Sequence, residues 1–134
     1  MEKETIKNIF DFLEDNEGKR SVLWKLVNDE PLTDEELNFK GDLDLNSTGI
    51  KTLPKGLKVG GFLFLKDCSN LTSLPEGLEV EGWLDLENTP ITSLPEGLKV
   101  PGDLYITDTA LEAYADKELR EMIRPGFIKG EILR

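Results

Sequence analysis

Four short stretches decide the fold: GDLDL at residues 41–45, GFLFL at 61–65, GWLDL at 82–86 and GDLYI at 102–106. Their first residues are 20, 21 and 20 positions apart, and the sequence between them recurs as well. TGIKTLPKGLKVG occupies 48–60, NLTSLPEGLEVE 70–81 and TPITSLPEGLKVP 89–101. The shared unit is G-x-L-x-L-x-x-T-x-I-x-x-L-P-x-G-L-x-V-x. Its leucine alternation marks a short strand with one buried side. Leu-Pro-x-Gly-Leu marks a chain reversal, because proline presets φ and glycine accepts a turn conformation that side chains resist.

One such unit cannot bury its own leucines. Stacked units bury them against each other, with parallel strands and each residue facing its counterpart in the next unit. The pattern resembles the leucine-rich-repeat family, in particular its short bacterial and phage-encoded members with Leu-Pro units of about 20 residues. The resemblance covers residues 41–109. It implies an α/β solenoid: a leucine-rich-repeat ladder of parallel strands, closed by a helical cap in front and a helix-strand cap behind. Cys68 shares a column with Thr48, Thr89 and Thr109, where the family carries Asn or Cys, so it reads as a buried small residue with a weak S–H donor. Related effectors that act as ubiquitin ligases carry their catalytic cysteine in a separate domain, and no such segment is left over here.

The ends of a solenoid need covering. Ile6, Ile9, Phe10 and Leu13 share one helical face, and Leu23, Leu26 and Val27 repeat the spacing after Gly18. Thr33 followed by Glu36 is a capping box, flanked by Leu32 and Leu37 as a hydrophobic staple. Residues 1–40 therefore form an N-terminal helical cap, 41–109 four repeats, and 110–134 a C-terminal cap within one continuous domain. In that last segment, residues 112–123 read as a helix ended by Pro125 and Gly126, and Phe127 to Leu133 as a terminal strand or hairpin.

Composition narrows the function. Of 134 residues, 38% are hydrophobic and 32% charged, which suits a folded soluble domain. A net charge of −11 repels phosphates and anionic lipid, disfavouring direct nucleic acid and membrane binding. The same acidity serves solubility or attracts a basic partner surface. The N-terminus lacks a basic start and apolar run, so a cytoplasmic location is expected. A lone cysteine cannot form an internal disulfide.

Catalytic signatures are missing. There is no histidine, no serine or cysteine with a partner base, and no glycine loop joined to a phosphate-binding lysine. No enzyme activity, cofactor or metal is expected. Asp42, Asp44, Asp85 and Asp103 could supply an acid/base pair or a calcium site, but acids at repeat positions usually form a solvated face, and a hard cation needs several converging oxygens.

Function is read instead from residues alternating with the buried leucines, which point to the opposite, concave face. Successive columns there are Asp42, Phe62, Trp83, Asp103; then Asp44, Phe64, Asp85, Tyr105; then Asn46, Lys66, Glu87, Thr107. Phe62, Phe64, Trp83 and Tyr105 fall together within an acidic border of Asp42, Asp44, Asp85, Glu87 and Asp103. An aromatic centre with a charged rim is a protein-interface pattern. The expected function is a non-enzymatic protein-binding module, monomeric or homodimeric. Those rings could be covered by a partner, by the N-terminal helices or by a second copy. The competing expectation is an acidic phage-type inhibitor that fills the nucleic-acid-binding groove of a host defence enzyme.

Overall fold

A computed structural model describes residues 21–134 of the chain. The GxLxL stretches become strands β2 (Leu43–Asp44), β4 (Leu63–Phe64), β6 (Leu84–Asp85) and β8 (Leu104–Tyr105), paired in parallel with Leu43, Leu63, Leu84 and Leu104 in register. A second parallel ladder runs beside this one. It contains β1 (Asn38–Phe39), β3 (Lys58–Val59), β5 (Glu79–Val80), β7 (Lys99–Val100) and β9 (Phe127–Ile128), and β10 (Ile132–Leu133) completes the first ladder. The molecule is a parallel-strand β-solenoid whose coils repeat every 20 or 21 residues up to a last step of 28, each coil giving one strand to each five-stranded sheet.

The second strand is a difference from the single strand per unit expected above. The Leu-Pro-x-Gly-Leu segment does reverse the chain, with Gly56, Gly77 and Gly97 at φ +86°, +71° and +79°. It then feeds a two-residue strand in which Val59, Val80 and Val100 turn inward while Lys58 and Lys99 stay exposed and Glu79 half-buried. Two residues are too few for an alternation to declare itself in sequence. At the other end of each β2-type strand, Ser47, Asp67, Asn88 and Asp108 take left-handed conformations (φ 54° to 62°), which Asn and Asp tolerate better than most residues.

Inward side chains stack as columns along the solenoid. Leu43, Leu63, Leu84 and Leu104 form one; Leu45, Leu65, Leu86 and Ile106 a second; Ile50, Leu71, Ile91 and Leu111 a third; all are buried. Burying each of these side chains contributes roughly 1.5–3 kcal/mol. Thr48, Thr89 and Thr109 back-bond to the carbonyls of Leu45, Leu86 and Ile106, three residues earlier. Cys68 is buried in that column, and its Sγ donates to the Leu45 carbonyl of the preceding coil at 3.0 Å.

In front of the ladder, helix α1 (Val22–Val27) starts at Ser21, whose Oγ accepts the Trp24 amide, and sends Leu26 into the core. Leu23, Val27 and Leu32 pack against the core half-buried. Helix α2 (Asp34–Leu37) carries the expected capping box: Thr33 Oγ1 accepts the Glu36 amide, and Glu36 Oε1 the Thr33 amide. Lys25 ties the two helices together through Glu36 at 2.8 Å. Burial pushes the Glu36 carboxyl upward, but the Lys25 ammonium and the Thr33 amide outweigh it and hold the group below its ordinary value. The helix expected around Ile6, Ile9, Phe10 and Leu13 lies outside the described residues.

Behind the ladder, the expected helix over 112–123 is divided. A 3-10 turn (Ala110–Ala113) places Leu111 in the Ile50 column, and helix α3 (Asp116–Met122) follows. Leu119 and Ile123 are buried beneath it. Residues 127–133 then enter the ladder as two strands, β9 beside β7 and β10 beside β8. Both are parallel to their neighbours, so the chain closes as a last rung and not as a hairpin. Arg120 holds this rung by donating to the Gly130 carbonyl. No helix among the described residues is long and apolar enough to cross a membrane.

Candidate functional site

At Gly61, Gly82 and Gly102 glycine begins the strand because of what crosses it, whereas Gly41 has open space around it and takes φ +87°. A Cβ on Gly82 would sit 2.5 Å from Phe62 Cε1, and one on Gly102 would press on Trp83 Cδ1 and lie 2.8 Å from the Gly82 carbonyl oxygen. At Gly61 and Gly130 the obstructing atoms are the carboxylate oxygens of Asp42 and Asp103 together with the backbone of Gly41 (2.9 Å) and Gly102 (2.5 Å). Each side chain following a glycine thus lies over the glycine of the next coil.

That arrangement lets the rings meet. Phe62 stacks on Trp83 with centroids 4.7 Å apart and planes 3° from parallel. Phe64 meets Phe62 edge-on at 5.8 Å, and Tyr105 meets Trp83 at 5.8 Å and 60°. The four aromatics singled out from sequence form one connected chain of ring contacts. Such contacts contribute about 0.5–1.5 kcal/mol each beyond their buried area. Phe62, Phe64 and Tyr105 are half-buried, whereas Trp83 remains 41% exposed.

The acidic border is placed around these rings, with a role that sequence reading did not assign. Asp42 Oδ1 accepts the Phe62 amide and Asp103 Oδ1 the Glu131 amide, each bridging to the next coil at 2.8 Å. Asp44 and Asp85 fold back along their own strands, accepting the amides of Asn46 and Glu87 at 3.0 Å. Asn46 accepts the Lys66 amide. These carboxylates therefore organise backbone as well as carrying charge. The recurring spacing of one Asp after each glycine in GDLDL and GDLYI was the available signal.

Glu87 lies half-buried two residues beyond Asp85. Its burial and the neighbouring Asp85 charge push its carboxyl above the ordinary range, against a smaller opposing pull from Lys66. Thr107 completes this third column, half-buried. Among the described residues, no group of three or more acids and cysteines is arranged to hold a metal ion.

The outward face of the second sheet was missed by sequence reading. Glu79 lies between Lys58 and Lys99, at 3.7 and 3.0 Å, and Phe127 continues that column with Lys129 4.9 Å above its ring. The recurring Leu-x-Val triplets at 57–59, 78–80 and 98–100 carried the signal. Charges there are paired, while the first sheet presents rings and acids. No family model, curated protein or solved structure matches this chain.

Proposed function

We propose that this chain is a non-enzymatic protein-interaction module that holds a partner on the outward face of the GxLxL sheet. The observation that carries this is the connected ring chain Phe64–Phe62–Trp83–Tyr105, with Trp83 open to solvent. Large rigid rings supply contact area at low entropic cost, and a rim of Asp42, Asp44, Asp85, Glu87 and Asp103 orients the approach of a partner with a basic surface. The Leu-Pro repeat supports membership of the short leucine-rich-repeat proteins of bacteria and phages, acting in the cytoplasm. No resident cofactor is part of this assignment.

Capture from host lysate tests it. The wild-type chain should retain a specific protein, and Trp83→Ala with Phe64→Ala should abolish retention while leaving the fold intact by circular dichroism. Retention unaffected by these changes would remove the face as the site. Sedimentation of the isolated chain as a dimer that dissociates on Trp83→Ala would instead assign the face to self-association.

The second reading, an acidic inhibitor occupying a nucleic-acid groove, draws on the net charge of −11. It predicts an association that weakens steeply with salt, whereas ring-anchored docking responds little. The bonding of Asp42 and Asp103 Oδ1 to backbone amides favours the first reading, because carboxylates that brace a ladder are less free to imitate phosphates.

A further inference from the structure

Along the second outward column, acid and ring alternate: Asp44, Phe64, Asp85, Tyr105, each in register with the next. Asp85 is the acid flanked by an aromatic residue on both neighbouring strands; Asp44 has one on one side only. Parallel strands lie about 4.8 Å apart, so Phe64 and Tyr105 stand about 9.6 Å from each other across the smaller Asp85. On the same strand and the same face, Trp83 lies two residues before Asp85 and Glu87 two residues after. The result is a slot with a carboxylate floor, aromatic residues on two sides, an indole at one end and a second carboxylate at the other.

We infer that this slot receives the guanidinium of an arginine side chain from the docked partner, an inference that rests on the protein-interaction reading above. A planar cation centred over Asp85 has an aromatic residue on each neighbouring strand, with backbones about 4.8 Å to either side, against the roughly 6 Å over which a ring attracts a cation. Its fork of N–H donors matches carboxylate acceptors, which a compact ammonium cannot satisfy in the same plane. Asp85 and Glu87 stand two residues apart on one strand and face; burial and then the Asp85 charge push the Glu87 carboxyl upward, and an incoming cation relieves the second of these. Among the described residues, Lys66 is the cation that acts on Glu87, and it stays exposed. The arginines among the described residues stand in the C-terminal cap, where Arg120 binds the Gly130 carbonyl and Arg134 binds Asp116.

The test uses the full chain and a blocked Gly-Gly-Arg-Gly-Gly peptide, followed through the ring resonances of Phe64, Trp83 and Tyr105 by NMR. The arginine peptide should shift these resonances, and the same peptide with citrulline in place of arginine should bind about tenfold more weakly, since it keeps the shape and loses the charge. Asp85→Asn retains the Oδ1 acceptor for the Glu87 amide, so its fold is preserved, and it should weaken binding about tenfold. Tyr105→Leu should weaken it without altering charge. Asp44→Asn, with the same charge change and the same local bond, should have less than about a twofold effect. Equal losses for Asp44→Asn and Asp85→Asn, equal binding of the citrulline peptide, or absence of ring shifts would each overturn the inference. Partner capture that is lost in Trp83→Ala but indifferent to Asp85→Asn would remove the arginine slot and leave the interaction face standing. Arginine binding without ring-dependent capture would remove the face as a protein site.

Discussion

Replacing Gly82 by alanine should destabilise the protein, and removing the Phe62 ring should rescue it. Gly82 does not lie in the left-handed region, so its backbone accepts a side chain; the obstacle is the ring, with Phe62 Cε1 2.5 Å from the new Cβ against an ordinary carbon separation near 3.5–4.0 Å. The ring must swing away, which forfeits its stack on Trp83 and its edge contact with Phe64. At about 0.5–1.5 kcal/mol per ring pair, Gly82→Ala should cost about 1–3 kcal/mol. In a Phe62→Ala background the nearest remaining obstacle is the Gly61 carbonyl carbon at 3.3 Å, a contact that a few tenths of an ångström relieve. There the reduced freedom of the unfolded chain, worth about 0.4–1 kcal/mol, offsets most of what remains. Urea unfolding of the four proteins in this double-mutant cycle should therefore give a coupling of at least about 1 kcal/mol. Gly102→Ala is the contrasting case. Its Cβ would also meet the Gly82 carbonyl oxygen at 2.8 Å and carbon at 3.0 Å, so Trp83→Ala should not rescue it. Equal costs for Gly82→Ala with and without Phe62 would refute the claim that the crossing ring dictates Gly82, and full rescue of Gly102→Ala would refute the claim that the Gly82 backbone obstructs a side chain there.

Further outcomes are expected elsewhere in the solenoid. Leu84→Ala, in the middle of a fully buried column, should lower unfolding free energy by about 2–5 kcal/mol in urea titrations, and a loss under 1 kcal/mol would contradict the continuous core. The Lys99 ammonium, against a smaller opposing effect of burial and with help from Lys58, holds Glu79 below its ordinary carboxyl value. This stabilisation is present above the unfolded pKa and lost as pH falls through the folded one. Glu79→Gln should thus cost about 0.2–1 kcal/mol at pH 7, and the difference should vanish in strong acid. Glu87 is shifted the other way, so its ionisation opposes folding as pH rises through its raised folded value. Glu87→Gln should be the more stable protein at neutral pH, with the gain absent at acid pH; a neutral-pH loss would reverse the assignment. Cys68 should react with a thiol reagent only as fast as the ladder opens, and immediate reaction in native buffer would mean that its column is not buried.

The repeat length, the inward leucines, the reversal at Leu-Pro-x-Gly-Leu, the Thr33–Glu36 cap and the outward columns were all readable along the chain. Each is a local pattern, either a period of two, a turn signature or a self-similarity at 20 or 21 residues, and stacking such units has few solutions. Grouping Phe62, Phe64, Trp83 and Tyr105 on one face also followed from alternation alone. The second sheet left only the recurring Leu-x-Val triplets as a trace, because Lys58–Val59 and its counterparts are too short to show a period by themselves, and their strand character comes from hydrogen bonds to residues one coil away. The same dependence on neighbours 20 or 21 residues distant explains what else was hidden. Phe62 lies flat on Trp83, Asp42 and Asp103 brace amides of the following coil, and Gly82 is small because a ring passes over it. A periodic sequence specifies which residues share a column; how their side chains lean along that column is decided when the coils stack.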